Sequence, residues 1–161
     1  MNPNFSKFGR LISNPISFKF FLLKKLPAAA LAGLKIHHFS TDSCSVRIKY
    51  SWWTQNPFRS IYFAVEAMAA EMASGMLVFG NVYMRKPSVS MLVIGMEVGF
   101  FKKATGNILF TCNDGLMIQE IINKAIETKE GHTFIATSTG WNESNEKVAE
   151  FKITWSVKAK S

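Results

Sequence analysis

A chain of 161 residues has room for one domain with a single core, and at that length about two-thirds of the unfolded surface can be buried without a disulfide or metal staple. Hydrophobic residues at 48% and charged residues at 19% exclude a disordered or collagen-like chain, and two cysteines exclude a disulfide framework or a Cys-rich zinc module. The net charge of +8 is uneven, since Lys7, Arg10, Lys19, Lys24, Lys25 and Lys35 all precede the first acid, Asp42. A basic N-terminal third suits contact with nucleic acid, an anionic lipid surface or a phosphorylated small molecule, or is simply a solvated helix face.

In chain order, the first 30 residues read as a helical extension divided at Asn14-Pro15, with Phe5, Phe8, Leu11 and Ile12, then Phe18, Phe21 and Leu22, at helical spacing. Lysines 19, 24 and 25 interrupt the apolar run that a secretory signal would need, so no signal peptide is expected, and the cysteine usage leads to the expectation of a cytoplasmic protein. From Leu34 the period becomes two, with Val46, Ile48, Tyr50 and Trp52 opposite Arg47, Lys49 and Ser51, which predicts a hairpin turning at 41–43. Gln55-Asn56-Pro57 then opens a long helix over about 58–79. The nearly continuous apolar run Val89–Phe101 predicts a strand buried on both faces, with 108–112 returning from a turn at 102–107. A helix over 114–129 ended by Gly131, and a final hairpin about 142–145, complete the reading. The expected class is α+β: an antiparallel sheet of about six strands on one long helix, with 1–30 as the extension and 31–161 as the main domain.

The segment 60–84 has the length of a membrane span, but Glu66 and Glu71 oppose insertion at roughly 2.5–3.5 kcal/mol each on insertion scales. It reads instead as the buried helix of a soluble protein. A stripe of Val65, Met68, Met72, Met76 and Phe79 should lie on the sheet, as ordinary core or as an adaptable acyl pocket. Glu66 and Glu71 are about 140° apart on the wheel, so they do not form a pair. Glu71 falls beside Ala64, Ala67, Met68 and Gly75, where an apolar setting raises a carboxyl pKa and suits acid–base work; Glu66 reads as a structural helix-flank contact.

The run from Asn56 to Gly75 resembles the central segment of hotdog-fold acyl-CoA thioesterases. Asn56, Glu71 and Gly75 stand at the spacings of that pattern, while Tyr62, Phe63 and Ala64 replace its His-Gly-Gly. The chain is most similar to the hotdog branch known as domain of unknown function 4442, which shares the N-terminal helix and the altered helix start. The resemblance implies a hotdog fold, a homodimer or dimer of dimers, and hydrolysis of a fatty or aromatic acyl-CoA. Glu71 would act as base or nucleophile, Asn56 as its partner from across the dimer, and Tyr62 as a donor in place of histidine. A backbone N–H at the helix start would hold the oxyanion, with Phe63 and Ala64 beside it. Coenzyme A enters as part of the substrate, and no other cofactor and no metal is expected. Arg59, Arg85 and Lys86, with Lys102 and Lys103, are candidate phosphate contacts; Phe58 and Met68, with Trp52, Trp53, Phe100 and Phe101, are candidate acyl contacts or a dimer seam. The lost His-Gly-Gly keeps open a non-catalytic acyl-CoA-binding protein. A START-like lipid carrier ranks below both, because that fold ends on its long helix and this chain ends on a strand.

His37 and His38 alternate on a strand and do not form a metal pair, and Cys44 and Cys112 read as structural thiols. No RNP-like or KH-like stretch is present, so no nucleic-acid partner is expected; contact with an anionic membrane through the basic N-terminus is.

Overall fold

The structure, a computed structural model, describes residues 2–160. Three helices come first: α1 (Phe5–Ser13), α2 (Pro15–Lys25) and the short α3 (Pro27–Leu31). Strands β1 (Lys35–Phe39) and β2 (Cys44–Lys49) precede the long helix α4 (Phe63–Val82), followed by β3 (Val89–Phe100), β4 (Asn107–Cys112), α5 (Gly115–Thr128), β5 (Gly131–Asn142) and β6 (Lys147–Ala159). Every strand pairing is antiparallel, in the order β1-β2-β4-β5-β6-β3. The sheet curls around α4, the hotdog arrangement.

The side of α4 against the strands is narrow. Ala69, Ala70, Ala73, Ser74 and Leu77 are fully buried, whereas Met68 and Phe79 of the expected stripe are only half-buried. Small side chains let the strands come close, and two hydrogen bonds pin the contact. Ser138 Oγ of β5 donates to the Ala70 carbonyl at 2.7 Å, and Trp155 Nε1 of β6 donates to Ser74 Oγ at 3.1 Å. Trp155 lies so close that a Cβ on Gly75 would stand 3.3 Å from its ring. By length and composition α4 passes as a membrane span; here it is the core helix.

The N-terminal helices share this core. Phe8 packs edge-on against Phe39 and Phe79, and Phe8, Ile12, Phe18 and Leu22 are buried with the α4 residues. Gly80 leaves the space that Phe5 fills, since a Cβ there would sit 2.8 Å from the Phe5 ring. Asn2 Nδ2 donates to the carbonyls of Gly80 and Tyr83, satisfying acceptors that the end of α4 leaves open.

Four expectations change. The long helix starts at Phe63, not near 58, because Asn56 closes a side-chain-bonded loop and Arg59 takes a positive φ of 60°. β2 stops at Lys49, and Trp52 stands exposed in the turn that follows. β3 is an edge strand rather than one buried on both faces: it pairs only with β6, leaving Leu92, Ile94, Met96, Val98 and Phe100 exposed. β4 does not return beside β3 but inserts between β2 and β5. In addition, α5 ends on Lys129 at φ 60°, and Gly131 belongs to β5. Cys44 and Cys112 are direct cross-strand neighbours, both free and fully buried; burial pushes the Cys112 thiol up to about 12.

Ser74→Ala should leave the buried Trp155 N–H without an acceptor. The expected loss is about 1–3 kcal/mol of stability, read by chemical denaturation, with a change in the near-ultraviolet tryptophan signal.

Candidate functional site at the start of the central helix

Residues 50–62 form the loop that delivers the chain into α4. Thr54, itself buried, donates from Oγ1 to the Lys49 carbonyl at 2.8 Å, and its own carbonyl accepts from the Tyr62 amide at 2.7 Å. Asn56 organises the rest. Its Oδ1 accepts from the amides of Phe58 and Ser60, and its Nδ2 donates to Ser60 Oγ at 3.0 Å and to the Ile61 carbonyl at 3.3 Å. Asn56 therefore holds the loop, and all of its side-chain polar atoms are engaged there.

The helix begins at Tyr62, which has extended backbone and makes no side-chain cap. Among the described residues, the amides of Phe63 and Ala64 donate to no acceptor. Two free N–H groups at the positive end of a twenty-residue helix form a polarised, preorganised anion site. Phe63 lines a cavity of about 510 Å³, walled also by Pro57, Phe58, Ile61, Tyr62, Phe100 and Phe101, with Asn56, Ser60, Glu66, Lys102, Lys103 and Ala104 completing the lining. The Tyr62 and Phe63 rings meet edge-to-face at 4.9 Å, and Phe100 stands edge-on to Phe151 at 5.9 Å. Lys103 Nζ donates to the Phe58 carbonyl, and Lys102 is paired with Glu146.

Glu66 reaches into this cavity from the first turn of α4. Its side chain is only 4% exposed, and it has no hydrogen-bond or ion-pair partner among the described residues. Burial raises its pKa to about 7, so the carboxyl is poised to exchange a proton near neutrality. Glu71 lies elsewhere. It is half-buried on the flank of α4 nearest Trp155, its Oε1 2.9 Å from where a Cβ on Gly75 would stand, and it too is unpaired among the described residues. Burial also raises the Glu71 pKa.

Of the residues singled out in the sequence, the structure brings together Asn56, Phe58, Tyr62, Phe63, Phe100, Phe101, Lys102 and Lys103 on one cavity, which Trp52 and Trp53 do not line. Arg59 is exposed on the adjoining loop, and Ala64 is half-buried in the first turn of α4. Met68 and Glu71 do not line the cavity within one chain. Arg85 and Lys86 lie at the far end of α4, about 30 Å away by helix length. There Arg85 bonds Asn123 of α5 at 2.6 Å. Glu66 and the Ala104 wall are additions. With the helix begun near 58, Glu66 reads as two turns deep; the Asn56 loop, which uses residues 56–60, is the signal that moves it to the first turn.

The sequence matches the family described as domain of unknown function (DUF4442) over residues 16–157. The chain belongs to that family. Its fold is similar to that of a Pseudomonas aeruginosa protein of unknown function described as a probable thioesterase, with a TM-score of 0.75 at 18% identity over 93% of this chain and 99% of the other. A Haemophilus influenzae thioesterase aligns with a TM-score of 0.65 at 11% identity, covering 92% and 95% of the two chains. A thioesterase family protein from Silicibacter pomeroyi aligns at 0.62 and 13% identity, covering 88% and 96%. No curated protein matches the sequence. The family match and these neighbours establish a thioesterase-like hotdog fold.

Because the folded Glu66 pKa lies above its ordinary 4.5, its protonated form favours the fold. That contribution is complete below about 4.5 and is lost as pH rises through about 7. Glu66→Gln should therefore match the wild type near pH 4 and be more stable at pH 8, by on the order of 2–3 kcal/mol. Thermal unfolding of both proteins across that pH range checks it, and a pH-independent difference would exclude a buried titrating carboxyl.

Proposed function

We propose that the protein hydrolyses acyl thioesters of coenzyme A at the start of α4, in a pocket completed by a second copy of the chain. The observation that carries this reading is the free amide of Phe63, which lines an aromatic cavity, with the free amide of Ala64 next to it in the first turn of α4. A thioester carbonyl seated there would point its oxygen at both N–H groups, which bind the tetrahedral oxyanion more strongly than the carbonyl. Phe58, Tyr62, Phe63 and Phe100 take the acyl chain, and Lys103 with the exposed Arg59 faces the coenzyme A phosphates at the rim.

The second copy is proposed from the edge of the sheet. Met96, Val98 and Phe100 are the register partners of the buried Ile153, Phe151 and Ala149, so they share the helix-facing side of the sheet but lack cover. Phe100 and Phe101 also wall the cavity, and a partner strand beside β3 would close both. In this arrangement the partner subunit's Glu71 supplies the base. Its carboxylate takes a proton from water, the hydroxide oxygen bonds the carbonyl carbon, and collapse breaks the C–S bond. The departing thiolate receives the proton and leaves as the free thiol. Asn56 then acts on the chemistry by fixing the loop rather than by touching substrate.

One observation favours a second reading, acyl-CoA binding without turnover. The Tyr62 and Phe63 rings stand beside the free amides where the thioesterase pattern has less bulk, which narrows the approach of a carbonyl.

Thiol release from short, medium and long acyl-CoAs decides between them. Turnover is expected for wild type, with kcat lower by about 100-fold or more in Glu71→Ala and a much smaller change in Glu66→Gln. Binding without turnover selects the second reading. Turnover that survives Glu71→Ala and fails in Glu66→Gln moves the base to the carboxyl inside the cavity.

A further inference from the structure

The whole net charge of +8 resides in the first 65 residues, which hold nine Lys and Arg against Asp42 alone; the remaining residues hold ten of each sign. Within that basic part α2 is held by its inner face, where Phe18 and Leu22 are buried, and by Asn14, whose Oδ1 accepts from the amides of Ile16 and Ser17. Its outer face is apolar and uncovered: Ile16 is 70% exposed, Phe20 69% and Leu23 51%. At about 100° per residue these three fall within about 60° of one another, and Lys19 and Lys24 flank them about 40° further out on either side. The stripe forms one wall of a groove of about 1080 Å³, and across it stand Lys35, His37 and Arg47. Lys35 and Arg47 are direct cross-strand partners on β1 and β2, and neither has an ion-pair partner among the described residues.

We propose that this face docks on an anionic lipid bilayer, with α2 lying in the interface. Ile16, Phe20 and Leu23 enter the acyl region, Lys19 and Lys24 stay at headgroup level, and a lipid phosphate sits between Lys35 and Arg47. A lysine-flanked apolar stripe is the pattern of a helix in the membrane plane. Nucleic acid would leave the stripe in water, and a second copy stacked on the same face would oppose Lys19 and Lys24 with their own duplicates. The face is separate from the cavity at α4, so the proposal stands whether or not the protein turns over thioesters.

Flotation of the full chain tests it, with vesicles of phosphatidylcholine alone and of three parts phosphatidylcholine to one part phosphatidylglycerol. Binding is expected to be at least about tenfold stronger to the anionic vesicles and to weaken severalfold when salt is raised to about 0.5 M. Phe20→Ser with Leu23→Ser should lose about tenfold or more, and Lys35→Ala with Arg47→Ala should remove most of the anionic preference. As a check independent of those variants, Phe20→Cys carrying a polarity-sensitive fluorophore should shift to the blue with anionic vesicles only; Cys44 and Cys112 are buried and leave the label single. Wild type that fails to float with anionic vesicles overturns the proposal. So does binding unchanged in both folded double variants, or a label that stays in water. Competition by soluble glycerol phosphate at millimolar concentration would assign the groove to a small anion and likewise overturn bilayer docking.

Discussion

A sheet can wrap a twenty-residue helix only if the helix is thin on the side that meets the strands. In this chain Ala69, Ala70, Ala73 and Ser74 supply that thinness, and the bulk is moved onto the strands, in Phe110, Phe151 and Trp155. The small helix side chains also bring strand side chains within hydrogen-bonding reach of α4, where Ser138 donates to the Ala70 carbonyl and Trp155 to the Ser74 hydroxyl. Burial of Met72 and Leu77 contributes about 1.5–3 kcal/mol each, but the polar pins decide where along its axis the helix sits.

That axial position determines the site. With α4 held by its middle, its first turn emerges where the 50–62 loop arrives, and Asn56 shapes that loop so that the chain enters from the side. The first two amides are thereby left without acceptors, that of Phe63 beside the cavity. Glu66 is held inside by the same constraint. Its carboxyl meets solvent only by way of the cavity it lines. At the other end Asn2 closes the carbonyls of Gly80 and Tyr83, so the two ends of α4 differ in kind, one satisfied and one open.

The parts of the fold legible from the sequence are those set by local periodicity. The Asn14-Pro15 break between α1 and α2, the alternation in β6 and in β2 as far as Lys49, and the 142–145 turn are present as read. Non-local pairing was not legible. The run Val89–Phe101 has the composition of a strand covered on both faces, and nothing within it says that only β6 lies alongside. The placement of β4 between β2 and β5 depends likewise on residues far away in the chain. The run from Asn56 to Gly75 marked the right family. The start of the helix was misplaced because the side-chain bonds of Asn56 and the positive φ of Arg59 have no periodic signature. Thus the sequence distinguished Glu71 by its spacing, whereas the geometry distinguishes Glu66 by its seclusion.

The open edge of β3 has a colloidal consequence. A twelve-residue strand with one side unpaired is a template for any other extended segment. The usual deterrents on such an edge are lysines, prolines and bulges, and β3 has a single irregularity between Val93 and Gly95 and one charge, Glu97. A protomer with this edge bare is therefore exposed to indiscriminate strand addition, and its shelf life in solution falls as its concentration rises unless a specific partner arrives first. A strand paired with that edge would guard solubility, so substitutions along β3 will be felt first in yield from expression.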